Sequence, residues 1–280
     1  MIHCGNVIKS FENKTVLRGI NLDIYKGQIF GLLGPSGAGK TTLIKILTGQ
    51  LEFDSGEVRV FEKELNKLTG EDKKKIGIMS ESFGVYERLS CVDNLKIYAD
   101  IYGIPYTKVN EMLEYVGLGN ARKKTASNLS KGMEARLRLA RVFVHNPQII
   151  FLDEPTSGLD PMSMKTIHRL ILEKKNEGCT IFLTTHNMEE ATFLCDTVAL
   201  LNEGNIVEIG EPKEICRKYN HHKKIVIHLL SGEDIEVCHD NSVEKIYELF
   251  RTESVETIHS SEPNLETVFL EITGRNLEAE

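Results

Sequence analysis

The sequence predicts an α/β protein with a buried, mainly parallel sheet and a smaller α/β part near its C-terminal end. Three apolar runs, "IFGLL", "IIFLD" and "TIFLTT", have the character of strands covered on both faces. Helical patterns separate these strands, and that alternation is typical of an α/β core. The composition becomes polar and basic at "EPKEICRKYNHHKK" (211–224). We therefore expect one domain at 1–218 and a small accessory domain at 222–280.

The bulk composition indicates a cytosolic globular protein. The chain has 280 residues, of which 41% are hydrophobic and 27% charged, values that fit one large or two modest domains. A net charge of −7 disfavours nonspecific binding to nucleic acid. Its six cysteines form no CxxC pair and indicate reduced thiols. No apolar run approaches the ~20 residues of a membrane helix, so we expect no span.

Short strands and one early helix open the chain. The first thirty residues contain "HCGNVIKSF", "KTVLRGINLDI" and "QIFGLLG", with a helix expected at 40–49 and a strand at 56–61. Apolar spacing then turns helical, which predicts a helical subdomain at about 88–145. Near the end of the first domain, "TVALLNEGNIVEIG" predicts a hairpin around Asn202-Glu203-Gly204.

The C-terminal part predicts a small α/β unit. "KIVIHLL" and "IEVC" flank a turn and predict a hairpin. "NSVEKIYELFRTE" predicts a helix, and Asn241 with Glu244 fits a capping box at its start. "SVETIHSSEP" predicts a strand, and "PNLETVFLEITG" a last helix that ends at Gly274.

A phosphate-binding loop is the most specific local motif. In "GLLGPSGAGKTT", an apolar strand leads through a Gly-rich turn into a helical pattern, the context that a Walker A loop requires. Its backbone N–H groups and the helix N-terminus would surround a phosphate. Lys40 would contact the β- and γ-phosphates, and Thr41 would offer a hydroxyl to Mg²⁺. The predicted nucleotide-binding residues here are Gly34, Pro35, Ser36, Gly37, Ala38, Gly39, Lys40, Thr41 and Thr42.

Two adjacent acids follow the strand "IIFL". Asp153 is placed to hold Mg²⁺ as a Walker B aspartate, and Glu154 comes next. Two carboxylates beside a triphosphate would be costly without a metal, so a purely structural role is the weaker interpretation. The phosphate loop alone fits kinases, GTPases and motor ATPases, but "LNKLTG" and "ENKT" supply no guanine-reading motif.

Five motifs in order, including "LSKGM" (129–133), "FLDEPTSGLDP" and "TTH" (184–186), resemble those of an ATP-binding-cassette (ABC) transporter ATPase. The resemblance covers about residues 1–215. It implies a P-loop cassette with a β-rich N-terminal subdomain, a parallel-sheet core and a helical subdomain. It also implies Mg²⁺-dependent ATP hydrolysis, with ATP and Mg²⁺ as cofactors.

The resemblance assigns roles to single residues. Glu154 matches the general base and His186 the switch histidine that contacts the γ-phosphate, so that the catalytic set is Glu154, His186 and Lys40. Phe11 occupies the position at which the family stacks an aromatic ring on adenine. A core role for Phe11 remains the alternative. Asp160 matches the D-loop, which crosses the interface between two cassettes.

The family pairs two cassettes head to tail, so each ATP lies between one phosphate loop and the other subunit's signature sequence. Ser130 and Gly132 would thus contact the ATP held by the partner. The usual LSGGQ is altered, with Lys131 in place of the first glycine and Met133 in place of the glutamine. The serine and second glycine are kept, and Lys131 adds a positive charge near the triphosphate.

The subunit is expected to work with separate membrane-spanning permease subunits and a second cassette, with a homodimer favoured over a heterodimer. That places it in the cytoplasm, peripheral on the inner face of the cell membrane. "NLETVFLEITG" resembles the end of cassettes that export drugs, antibiotics, peptides and polysaccharides. The alternatives are an importer cassette, a regulatory subunit that barely hydrolyses ATP, and a ribosome- or DNA-associated ABC ATPase. The last class usually carries tandem cassettes or basic linkers, which this acidic chain lacks.

Glu81 stands where the family places the Q-loop glutamine that contacts Mg²⁺ and the attacking water. A carboxylate oxygen has the same reach and binds a hard cation more strongly. A solvent-facing loop acid is the alternative. We interpret Glu81 as a substituted sensor, which completes a predicted metal set of Thr41, Glu81 and Asp153.

Replacing Glu81 by glutamine restores the family's amide and removes one negative charge near the γ-phosphate. We expect Glu81→Gln to shift the Mg²⁺ and pH dependence of ATP hydrolysis, because the amide is the weaker ligand for a hard cation. The measurement is steady-state ATPase activity against Mg²⁺ concentration at several pH values, with Glu81→Ala alongside. Unchanged activity and coupling in both variants would show that Glu81 has no part in the chemistry.

Overall fold

The computed structural model describes residues 1–12, 14–80, 84–221, 224–238, 242–251 and 255–274. They form two compact units, Met1–Ile209 and Gly210–Glu280. The strands in chain order are β1 (Ile2–Phe11), β2 (Lys14–Ile24), β3 (Ile29–Leu33), β4 (Ser55–Val60), β5 (Lys63–Glu64), β6 (Ile76–Met79), β7 (Ile149–Asp153), β8 (Thr180–Thr185), β9 (Thr197–Asn202), β10 (Asn205–Gly210), β11 (Lys224–Leu229), β12 (Asp234–Cys238) and β13 (Val255–Ser261). The α-helices are α1 (Lys40–Leu47), α2 (Gly70–Lys73), α3 (Cys91–Tyr102), α4 (Tyr106–Tyr115), α5 (Lys131–Phe143), α6 (Pro161–Asn176), α7 (Met188–Leu194), α8 (Pro212–Lys218), α9 (Ser242–Arg251) and α10 (Leu265–Thr273).

A six-stranded sheet forms the centre of the first unit, in the order β10-β9-β3-β8-β7-β6. The pairs from β9 to β6 are parallel, as the continuous apolar strands predict. Every residue of β3, β7 and β8 is buried. The rings of Phe30 and Phe151 pack on either side of Phe182, with centroids 5.7 and 5.6 Å from it. Because β3, β7 and β8 run in parallel, their carboxyl ends meet at one edge of the sheet.

A four-stranded antiparallel sheet, ordered β2-β1-β4-β5, covers part of this core. Its inward residues share one hydrophobic cluster with helix α1 and with the central sheet. Leu17, Val7 and Val60 are fully buried there, beside Leu43 and Phe182. The β-rich N-terminal subdomain that the resemblance implied is therefore present. Helix α1 is held between the two sheets, which fixes the position of its N-terminus.

Three helices, α3, α4 and α5, make up the helical subdomain expected at about 88–145. Ser90 caps α3 by accepting a hydrogen bond from the backbone N–H of Asp93. The buried side chain of Asn94 bonds both the N–H (2.7 Å) and the carbonyl (3.1 Å) of Tyr86. The loop before α3 is thereby tied to the helix that follows it.

The second unit contains a three-stranded antiparallel sheet, β12-β11-β13, on which the apolar side of α9 packs. The predicted hairpin, helix, strand and final helix are all present, whereas the predicted cap at Asn241 lies outside the described residues. Helix α8 contacts α10 and groups with this unit. The division of the structure at Gly210 thus comes before the boundary expected at 218–222.

Helix α7 has no counterpart in the sequence prediction. It follows β8 after two residues, and Asn187 caps it through the backbone N–H of Glu190 at 2.9 Å. A seven-residue helix offers too few turns for apolar spacing to identify it, so its cap is the only local signal. None of the helices in the described part of the chain has the length and apolar character that a bilayer crossing requires.

The buried ring of His145 predicts that the stability of the folded state decreases in acid. Its ring stacks on Tyr102 with centroids 4.0 Å apart, and its Nε2 lies 3.3 Å from the carbonyl of Ile76. Burial lowers its pKa below the ordinary value of 6.5. The folded state therefore binds a proton less readily than the unfolded state. The stability that the neutral His145 ring contributes is complete above about pH 6.5 and is lost as pH falls below that value.

We expect the melting temperature of the wild type to fall between about pH 7.5 and pH 5.5, and to fall less in His145→Phe, which keeps a ring against Tyr102 without a titrating group. Thermal unfolding at matched ionic strength measures this difference. Parallel pH profiles of the two proteins would contradict it.

Candidate functional site

The loop between β3 and α1 has a backbone that only a small residue permits. A Cβ on Gly34 would lie 2.2 Å from the carbonyl oxygen of Leu201, closer than any side chain could approach. At the other end, Gly39 has φ 114° and is the N-cap of α1. The first N–H groups of α1 therefore open onto the carboxyl edge of the central sheet, where they and the helix dipole favour an anion.

Lys40 is buried, with its ammonium directed back into this loop. Its Nζ donates to the carbonyl of Gly34 at 2.6 Å and to that of Pro35 at 3.3 Å. The same Nζ lies 3.2 Å from Glu154 Oε1. A positive charge is thus fixed where the loop would receive a phosphate, as the motif predicts.

Asp153 ends β7 and accepts two hydroxyl hydrogen bonds. Thr41 Oγ1 donates to its Oδ2 at 3.0 Å, and Thr184 Oγ1 donates to its Oδ1 at 2.5 Å. Asp153 is only 6% exposed. Carboxylate and hydroxyl oxygens are the donors that Mg²⁺ takes in phosphate-transfer sites, so Thr41 and Asp153 fit that cation.

Glu154 has an unusual backbone that turns its side chain into the cleft. Its φ is 49°, in the left-handed region that non-glycine residues rarely adopt. Its N–H donates to the carbonyl of Thr184 at 3.1 Å, which fixes the turn. The carboxylate lies between Lys40 and His186, with Oε2 2.8 Å from His186 Nδ1. The structure thus brings together the three residues predicted to be catalytic.

A cleft of about 330 Å³ joins these groups. The predicted residues that line it are Pro35, Ser36, Gly37, Gly39, Lys40, Thr41, Thr42, Asp153, Glu154 and His186. Val16 and Ser157 also line it and were missed. Val16 belongs to none of the motifs, and Ser157 lies within "FLDEPTSGLDP" but received no role from the resemblance. Phe11 lies at the end of β1, 45% exposed, with the ammonium of Lys9 5.3 Å from its ring centroid. It is not among the residues that line the cleft, and its adenine role stays a prediction.

The signature sequence and the D-loop touch within one chain. Ser130 caps α5 through the backbone N–H of Met133 at 3.3 Å. A Cβ on Gly132 would lie 2.1 Å from Ser163 Oγ. That hydroxyl in turn donates to Asp160 at 2.6 Å, and Asp160 caps α6. Hydrogen bonds from Ser163 lower the pKa of Asp160 below its ordinary value. The contacts proposed for Ser130, Gly132 and Asp160 with a partner's ATP stay predictions.

Glu81 lies outside the described residues, and its sensor role stays a prediction. The described residues on either side are held by the helix that begins at the signature. Arg138 donates to the carbonyl of Ser80 at 3.2 Å, and Arg141 donates to that of Gly84. The described residues contain no group of three or more His, Cys, Asp or Glu side chains suited to a metal ion.

Comparisons with known proteins agree with this geometry. A family model described as ABC transporter matches residues 17–157. The linearmycin resistance ATP-binding protein of Bacillus subtilis is 31% identical over 99% of this chain and 99% of its own. A fluoroquinolones export ATP-binding protein of Mycobacterium tuberculosis is 38% identical over 93% of this chain and 88% of its own. A dimeric ATP-binding cassette solved with ADP and Pi in a post-hydrolysis state superposes with a TM-score of 0.68 at 25% identity, over 75% of this chain and 98% of the other.

Removing the ammonium of Lys40 should weaken nucleotide binding. A charge-assisted hydrogen bond contributes about 1.5–3 kcal/mol, so we expect Lys40→Ala to bind ATP about 10- to 100-fold more weakly. Equilibrium binding of a fluorescent ATP analogue measures the change. Lys45→Ala is the matched control, because Lys45 lies on the same helix and does not line the cleft. Equal affinities for Lys40→Ala and the wild type would refute the role of Lys40.

Proposed function

This chain belongs to the ABC transporter family as an ATP-binding cassette, and we propose that it hydrolyses ATP to drive export through separate membrane subunits. The resemblance drawn from the motifs and the predicted fold class are both confirmed. Export is supported by the relatives, whose names describe resistance to an antibiotic and export of a class of drugs. The prediction that the chain is an exporter subunit rests on these names and on its C-terminal sequence.

The observation that carries the proposal is the carboxylate of Glu154 between Lys40 and His186 in one cleft. In hydrolysis, Glu154 would accept a proton from the attacking water. The water oxygen would then bond to the γ-phosphorus while the bond between the γ-phosphorus and the oxygen of the leaving ADP breaks. His186 Nδ1, 2.8 Å from the carboxylate, would hold the base in position. Lys40 would neutralise phosphate charge. Mg²⁺, held by Thr41 and Asp153, would supply further charge neutralisation.

Two cassettes would complete each site. Among the described residues that line the cleft around Lys40, neither Ser130 nor Gly132 is present. Ser130 is exposed at the N-terminus of a 13-residue helix, where backbone N–H groups and the dipole favour a phosphate. The similar solved cassette with ADP and Pi is dimeric. These facts support a head-to-tail pair of cassettes, in which Ser130 and Gly132 contact ATP on the partner. That the two cassettes are identical stays a prediction.

We assign contact with the permease to the exposed surface of the helical subdomain and of the loop before it. Tyr86 and Ile101 are exposed there, at 52% and 64%. The loop that carries Tyr86 is tied by Asn94 to α3, and Arg141 connects the start of that loop to the signature helix α5. A membrane subunit that pressed on this loop would therefore act on the helix that begins at Ser130. We place the subunit on the cytoplasmic face of the membrane, held there by this contact.

Replacing the proposed base should remove hydrolysis but keep binding. We expect Glu154→Gln to lower kcat about 100-fold or more, because the amide cannot accept the water proton, and to retain ATP in a stable dimer. Steady-state ATPase activity of the complex with its membrane subunits and size-exclusion chromatography with ATP measure the two effects. Glu71→Gln is the control, since Glu71 is exposed and pairs only with Lys74 among the described contacts. Full ATPase activity in Glu154→Gln would refute the general-base role.

A further inference from the structure

Glu190 is a buried acid that the hydrolysis chemistry above does not use. It lies on α7, four residues after His186, and is 2% exposed. Thr156 Oγ1 donates to its Oε1 at 2.7 Å, and His168 Nε2 lies 2.9 Å from the same oxygen. Within the described part of the chain, Oε2 is buried without a hydrogen-bond partner. Burying a carboxyl group with one oxygen that lacks a hydrogen bond costs free energy of folding. We therefore ask what the two contacts of the other oxygen contribute.

The residues in contact at Glu190 belong to three segments of the chain, each of which follows residues of the catalytic cleft in sequence. Thr156 is in the turn two residues after Glu154, and His168 is on α6. Glu190 itself is on the helix that begins directly after His186 and Asn187. Glu190 therefore connects the segment that carries the general base with the segment that carries the switch histidine.

Among the described residues, few other hydrogen bonds hold the turn after Glu154. The N–H of Ser157 donates to the carbonyl of Glu154 at 3.2 Å, and that of Leu159 donates to Thr156 at 3.1 Å. Both bonds are local to the turn. Thr156 Oγ1 makes the bond that joins the turn to α7. The contact between Glu154 and His186, by comparison, lies at the surface, where the His186 side chain is 55% exposed.

The segment that joins His186 to Glu190 is also held by hydrogen bonds. The side chain of Asn187 accepts the N–H of Glu190 at 2.9 Å, and the N–H of Asn187 donates to Thr185 Oγ1 at 3.0 Å. Helix α7 therefore starts in a defined orientation at the end of β8. A displacement of Glu190 would be carried to His186 through this cap.

We propose that Glu190 is a positioning residue, which acts through Thr156 and His168 to hold the turn of Glu154 at a fixed distance from His186. The inference rests on the proposed function, because it concerns the base of that reaction. Breaking the connection should reduce the rate of the chemical step and leave nucleotide affinity unchanged, since Glu190 does not line the cleft around Lys40. A misplacement of about 1 Å in a catalytic group can cost about 100-fold in rate.

The test compares Thr156→Val, which removes the hydroxyl at nearly constant volume, with Thr156→Ser, which keeps it. We expect kcat to fall about tenfold or more in Thr156→Val with KM for ATP and nucleotide affinity unchanged, and Thr156→Ser to recover most of the rate. Thr192→Val is the matched control, because Thr192 is also on α7 but, among the described residues, its hydroxyl donates only to Met188 of the same helix. If Thr156→Val does not fold, His168→Leu removes the other partner of Glu190 and is judged by the same criteria.

Hydrogen exchange of the full-length chain supplies a readout that needs no ATPase activity. Amides of residues 154–160 should exchange faster in Thr156→Val, whereas those of β7 should not. A kcat equal to that of the wild type, or a change in KM with kcat unchanged, would overturn the inference. An inactive wild type in complex with its membrane subunits would instead refute the proposed function, and the exchange pattern alone would then decide whether the turn depends on Glu190.

Discussion

The buried carboxylate of Asp153 is the interaction on which the site depends. It accepts hydroxyl groups from Thr41, at the start of α1, and from Thr184, near the end of β8. One side chain thus joins the phosphate loop to two neighbouring strand ends. Because burying a carboxylate is costly unless its oxygens are hydrogen-bonded, these two bonds favour holding the three elements in one register. Lys40, Glu154 and His186 each lie within one or two residues of this joint, and their mutual distances follow from it.

Steric limits refine that arrangement. Gly34 approaches the backbone of Leu201 and has no room for a side chain, so the phosphate loop lies directly against the end of β9. The orientation of Glu154 requires a left-handed backbone conformation, which is strained for a residue other than glycine. Hydrogen bonds from its N–H to Thr184 hold this conformation in place. The strain and the close approach both occur at the carboxyl edge of the sheet. The rest of the core, with its stacked phenylalanines, provides the rigid support that such local strain requires.

The sequence predicts the centre of the site well and its surroundings poorly, for a physical reason. Asp153 ends one apolar strand, His186 directly follows another, and Lys40 follows a third after the Gly-rich loop, so each can be assigned from a continuous segment. Val16 and Glu190 lie beside residues that are far away in sequence, and no local pattern marks them. The polar composition of 211–224 predicts a domain boundary, because only the packing of helix α8 against α10 shows to which unit the helix belongs. Helix α7 is too short for its apolar spacing to be recognised.

The contact between Gly132 and Ser163 has a consequence for how the signature can diverge. Gly132 is buried against a hydroxyl that also anchors Asp160, so even a methyl group there would have to displace the start of α6. Lys131, in contrast, is exposed, and no packing constraint fixes its size. Selection can therefore change the charge of this motif freely at one position while sterics forbid change at the next. In this chain the signature carries an added positive charge at Lys131, beside a glycine that has no room for a side chain.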